Sequence, residues 1–146
     1  MVLLCVEVGL NRSDLQLLAG IRIREAQTLL RAGYASGAYY LAGYAVEVAL
    51  KARIAKGIKR HEFPDRKTVM DSYTHNLTAL LRLAGLEQQL AIDAAASPKL
   101  EVAWAVVKDW NEGSRYRQVA LPEAHDLVQA VGTRVNGVLP WIRRSW

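Results

Sequence analysis

The chain reads as an all-α protein, an antiparallel four-to-five-helix bundle. Three observations carry that expectation. Apolar residues recur at helical spacing in several long stretches, glycines fall where those stretches stop, and no pair of alternating runs suggests a strand hairpin. With 146 residues, about half of them apolar and 23% charged, one domain can bury a substantial core, and disorder is excluded. Residues 11–146 are read as that domain, with residues 1–10 as an N-terminal extension or a short strand.

The first helix is expected over residues 13–32, capped by Ser13, with Leu15, Leu18, Ile21, Ala26, Leu29 and Leu30 in helical period and Gly33 as its stop. The second is expected over 36–56, ended by Gly57. Its small residues invite close backbone approach, and mid-helix Gly43, which costs up to about 1 kcal/mol, implies a packing reason. Residues 57–74, polar and broken by Pro64, read as a mobile basic loop carrying Lys59, Arg60, Arg66 and Lys67. A third helix is expected over 75–84, after a Thr74 cap and before Gly85, followed by a short one over 87–96. Ser97-Pro98 has the form of a helix start, with Ser as cap and Pro in the first turn, and launches a helix to Trp110. After a loop through Leu121, Pro122 opens a last helix to residue 138, which Pro140 kinks or ends.

Composition bounds function only loosely. Nineteen Lys and Arg against fourteen Asp and Glu give a net charge of +5, which permits contact with nucleic acid without requiring it. One cysteine, Cys5, allows no internal disulfide, and His61, His75 and His125 lack metal-ligand spacing, so no metal site is expected. No apolar run approaches the roughly 18 residues of a membrane span, and a cytoplasmic protein with no membrane association is expected. Phosphate-loop, dinucleotide-binding, serine-hydrolase and zinc-protease motifs do not occur, and no cofactor is implied.

The second helix carries the feature that calls for chemistry. At 100° per residue Tyr40, Tyr44, Glu47 and Lys51 fall within roughly 60° of one another, beside an apolar face of Leu41, Ala45, Val48 and Ala52. Polar groups on a largely buried helix need partners. One reading is structural, an i, i+4 pair of Glu47 and Lys51 worth about 0.2–0.5 kcal/mol with tyrosines at the core edge. The other is a polar groove in which tyrosines stack on a ligand and Lys51 meets a phosphate.

A second cluster is Trp104, Trp110, Arg115, Tyr116 and Arg117. Arg forks match phosphate; alternatively Arg115 pairs with Glu47 or caps a helix end while the tryptophans fill the core. A third is the Thr74-His75-Asn76-Leu77 helix start. His125, expected in the first turn of the last helix, together with Arg117 could run metal-free RNA cleavage, with imidazole taking the 2′-hydroxyl proton and Arg stabilising the phosphorane.

The block Ala38-Tyr-Tyr-Leu-Ala-Gly-Tyr-Ala-Val-Glu-Val-Ala-Leu-Lys51, then Thr74-His-Asn-Leu77, then Trp110 and Arg115-Tyr116, resembles HEPN-domain proteins in order and spacing, across residues 11–138. The resemblance implies a bundle of four main helices forming a homodimer. It implies a setting beside a small nucleotidyltransferase partner in a toxin–antitoxin or defence pair, with nucleotide or RNA binding, or metal-independent ribonuclease activity, as functions. On that basis Tyr40, Tyr44, Glu47, Lys51, His75, Arg115 and Tyr116 are the expected binding residues, and Arg117 and His125 the catalytic candidates. The family's ribonuclease signature is an Arg, four to six residues, then a His. Here seven residues separate Arg117 from His125, nine separate Arg115 from it, and Pro122 intervenes. A third expectation is a non-catalytic structural subunit whose stripe is an internal network of Tyr, Glu and Arg contacts.

Overall fold

The long helix Ala35–Gly57, here α2, is the axis on which the other elements pack. In the computed structural model, which describes residues 10–58 and 63–146, it follows α1 (Arg12–Arg31) and precedes α3 (Arg66–Asp71), α4 (Leu77–Leu83), α5 (Glu87–Ala96) and α6 (Pro98–Val107). A 3₁₀ turn (Glu112–Tyr116), α7 (Leu121–Gly132) and α8 (Val138–Arg143) complete the chain. Among the described residues there is no strand, and the protein is an all-α bundle. The expected extension lies, through residue 9, outside the described residues, as do Lys59, Arg60 and His61.

Local chemistry sets the helix ends. Asn11 begins α1 through a reciprocal capping box: its side chain accepts from the Asp14 N–H at 2.9 Å, and the Asp14 carboxylate accepts from the Asn11 N–H at 3.0 Å. That box displaces the expected Ser13 cap, because it satisfies two orphan donors at once. At the far end Gly33, at φ +86°, lets the Tyr34 N–H reach the Leu29 carbonyl and the Gly33 N–H reach that of Leu30. The same pair of bonds recurs at Gly85. The tight turn over 32–34 folds α1 back along α2 as an antiparallel hairpin.

Three expectations about elements change. Residues 57–74 are not loop throughout: Asp65 caps α3 by accepting from the Thr68 N–H at 3.0 Å. The α4 cap is Asn76, which accepts from the Ala79 N–H at 2.9 Å, while Thr74 receives the Asn76 N–H one step earlier. His75 therefore precedes the helix. The last expected helix stops early, at Gly132, because the chain turns through Thr133–Gly137, where a Cβ on Gly137 would stand 2.4 Å from the Thr133 carbonyl oxygen, and a further helix starts at Val138. Pro140 does not end a helix but sits in the first turn of α8, where its missing N–H costs nothing. The Ser97 cap and Pro98 start of α6 stand as expected.

Packing explains the composition of α2. It is buried around most of its circumference, through Ala38, Tyr39, Ala42, Gly43, Ala45 to Leu50, Ala52 and Ile54, and contacts α1, α4, α7, α8 and the 3₁₀ turn. On α1 the buried face is Ala19, Gly20, Ile23 and Ala26, smaller than the leucine stripe expected, so the two backbones run close. Amphipathic α7 closes the core with Ala124, Leu127, Val128, Ala130 and Val131. α8 adds Val138, Leu139, Trp141 and Ile142. The Trp141 Nε1–H donates to Asp93 Oδ2 at 2.8 Å, and this bond, aided by one from Gln89, holds the Asp93 carboxyl below the usual carboxylate range.

Gly43 has its packing reason. A Cβ there would lie 2.3 Å from three ring carbons of Trp110, which is buried against the bare backbone. Helix propensity alone would make Gly43→Ala stabilising by about 1 kcal/mol, but overpacking a rigid ring costs about 1–3 kcal/mol or more. Urea unfolding of Gly43→Ala should show a net loss of stability; an unchanged or raised midpoint would contradict the packing described.

Candidate functional site

A single polar patch joins the outer face of α2 to the entry of α4 and the 3₁₀ turn. Its root is Glu47, whose side chain is 2% exposed in the middle of α2. One carboxylate oxygen accepts from His75 Nδ1–H at 2.7 Å, and the other faces Lys51 Nζ at 3.4 Å. The far nitrogen of the same ring, Nε2, lies 3.1 Å from Glu112 Oε2. A neutral imidazole can donate to one carboxylate only, whereas an imidazolium satisfies both. His75 reaches this position because the Asn76 cap turns the chain into α4, whose Leu77, Leu80 and Leu81 are buried in the core.

Aromatic rings flank the charges. Tyr40 and Tyr44, one helical turn apart, stack with centroids 6.1 Å apart and planes inclined by 13°. Tyr40 also meets the Trp110 ring, tilted by 33° at 6.0 Å. Arg115 extends from the 3₁₀ turn with its guanidinium carbon 4.8 Å over the ring of Tyr116, which is 82% exposed. Hydrogen bonding to the Tyr116 and then the Tyr40 hydroxyl pushes the Arg115 pKa further up, so this cation is permanent. Beneath the patch, Trp110 Nε1 and Ser114 Oγ are buried without a hydrogen-bond partner among the described residues.

The seven residues expected at a binding site fall in two contact groups along α2: buried Glu47 with Lys51 and His75, and Tyr40 with Tyr44, Arg115 and Tyr116. The alternative of an Arg115–Glu47 pair is not what forms; His75 and Lys51 occupy that carboxylate. Trp110 is core, while Trp104 is partly buried against it. Glu112 was not anticipated. Its signal was its position three residues before Arg115, which a 3₁₀ turn places on the same side.

The catalytic candidates lie elsewhere. Arg117 pairs with Glu123 at 2.6 Å and lies 5.2 Å over the Tyr39 ring. Burial pushes the Tyr39 hydroxyl up, against the opposing pull of Arg117. His125, in the second turn of α7 and not the first, is largely exposed and faces Asp126 at 3.6 Å. Among the described residues no hydrogen bond or ion pair joins Arg117 to His125 within one chain.

Glu47 and Glu112 approach opposite nitrogens of His75. They do not converge on one point, and no group of three or more His, Cys, Asp or Glu side chains among the described residues could hold a metal ion. Two shallow grooves, of about 250 and 330 Å³, share Asp93, Trp141 and Arg144 at another part of the bundle. Among the described residues no helix is long and apolar enough to cross a membrane. Comparison with protein families, curated proteins and solved structures gives no match for this chain.

Glu47 gives a direct test of the patch's foundation. Removing the carboxylate strips His75 of its acceptor and Lys51 of its counter-ion, and losing hydrogen bonds to a charged group costs about 1.5–3 kcal/mol. Denaturant unfolding of Glu47→Ala should show a loss of that order. A loss below about 1 kcal/mol, the range of ordinary surface changes, would mean that Glu47 is solvated and its partners are incidental.

Proposed function

We propose that this chain is a HEPN-type binding module that takes a nucleotide, free or as a unit of RNA, on the surface formed by Tyr40, Tyr44, Lys51, His75, Arg115 and Tyr116. The observation that carries the reading is Arg115. A permanent guanidinium is held at the surface over the ring of Tyr116, on the turn that follows Trp110, whose ring meets the stacked Tyr40–Tyr44 pair. Fixed cations and an exposed aromatic ring such as Tyr116 are what a phosphate and a base require, and stacking contributes about 1–3 kcal/mol per base. The sequence resemblance supports the same reading and adds its setting: a homodimer acting with a nucleotidyltransferase-type partner in a toxin–antitoxin or defence pair.

The reading separates from a purely structural role through variants at the rim. Lys51→Ala and Arg115→Ala should each weaken binding of AMP or a short RNA by about tenfold, equivalent to about 1.4 kcal/mol; Arg115→Ala should keep stability within about 1 kcal/mol of wild type, whereas Lys51→Ala loses more, because it leaves one oxygen of buried Glu47 unanswered. Fluorescence titration reads the first quantity, since Trp110 lies against Tyr40; thermal melting reads the second. Binding unchanged in both variants, or unfolding of Arg115→Ala, would assign the patch to the fold alone.

A further inference from the structure

We infer that His75 Nε2 is the seat of a phosphate, and that the carboxylate of Glu112 covers this seat in the ligand-free protein. The inference rests on the nucleotide-binding reading and says where the phosphate goes.

The imidazole is held from behind. Its Nδ1–H is committed to Glu47, a carboxylate withdrawn from water and fixed within the longest helix. That bond aims Nε2 outward, towards solvent and the 3₁₀ turn, with the side chain 34% exposed. Such backing is how a carboxylate orients an imidazole for a partner on its other nitrogen.

What Nε2 meets is a second carboxylate, and the two are held very differently. Glu112 belongs to a five-residue 3₁₀ turn whose Asn111 cap makes no side-chain hydrogen bond, and its side chain is 45% exposed. An exposed carboxylate on such a turn leaves by side-chain rotation, at the low cost of a surface ion pair. Glu47 cannot leave without opening the core.

With Glu112 rotated away, the cations left on the patch are the Lys51 ammonium and the Arg115 guanidinium, joined by His75 through Nε2–H when the ring is an imidazolium. Glu47 offsets only one of these charges, from behind. A carboxylate is the chain's own substitute for the anion this arrangement accepts. A phosphate fits better, because it brings more charge and more acceptor oxygens. Glu112 is then a latch that keeps the seat neutral and selects against weakly charged ligands.

The test uses the full chain, with inorganic phosphate, AMP and a short RNA as probes and the His75 ring resonances as reporter. Phosphate should shift the His75 ring resonances saturably. Glu112→Gln, which keeps the side chain's size and removes its charge, should bind phosphate about fivefold to tenfold more tightly, the scale of removing one partly exposed charge from the seat. His75→Gln should lose phosphate binding while keeping a cooperative melt. Unchanged phosphate affinity in Glu112→Gln, or phosphate that leaves His75 unperturbed, overturns the inference. If AMP or RNA still binds and still depends on Arg115 in that case, the binding surface stands and only the seat is misplaced. If neither binds the wild type, the nucleotide reading falls as well, and the phosphate titration alone decides the seat.

Discussion

A carboxylate buried in the middle of the longest helix, under its outer face, is the constraint around which the functional face is arranged. Glu47 sits on the helix that touches most of the others, where an unpaired charge would cost several kcal/mol. Its two oxygens must each be answered, and each answer fixes a piece of geometry. Lys51, one turn along α2, answers from within the helix; His75 answers from the chain entering α4, and so anchors that entry to α2. The polar patch is thus a consequence of how the core is closed. A surface assembled from exposed loops alone would have no such foundation.

The small residues of α2 bring the remaining parts into reach. Gly43 lets the Trp110 ring lie on the helix backbone, and Trp110 in turn meets Tyr40 and leads directly into the turn that carries Glu112 and Arg115. Val119, just beyond that turn, donates its N–H to Ser36 at 3.0 Å, near the start of α2. The 3₁₀ segment is therefore pinned at both ends, by a buried indole and by a bond to the Ser36 side chain, while its acidic and basic side chains, paired with His75 and Tyr116, stay partly exposed. Rigid backing and movable front groups coexist because they belong to different elements.

Much of this was legible in the residues. The spacing of Tyr40, Tyr44, Glu47 and Lys51 sets them in line on any helix, and Gly33, Gly85 and the Ser97-Pro98 pair punctuate the chain for reasons local enough to read directly. What escaped was decided by competition or by distance. Asn11 and Asn76 displaced Ser13 and Thr74 as caps because neighbouring side chains completed better hydrogen-bond sets. The six residues of α3 are too few to show a period. Pro140 carries the same residue-level signal whether it stops one helix or opens another. That His75 would choose Glu47, 28 residues away, and leave Arg115 to the tyrosines, is set by tertiary packing and has no local signature.

The central claim is that Glu47 and His75 act as one unit, and a double-mutant cycle tests it most directly. Glu47→Gln, His75→Gln and the double variant would be unfolded in denaturant at neutral pH. Coupled contacts of this kind show interaction free energies of about 0.5–3 kcal/mol, and a value in the upper half of that range is expected for a charged, largely buried hydrogen bond. Additive losses, with a coupling indistinguishable from zero, would contradict the account and leave the patch without its anchor.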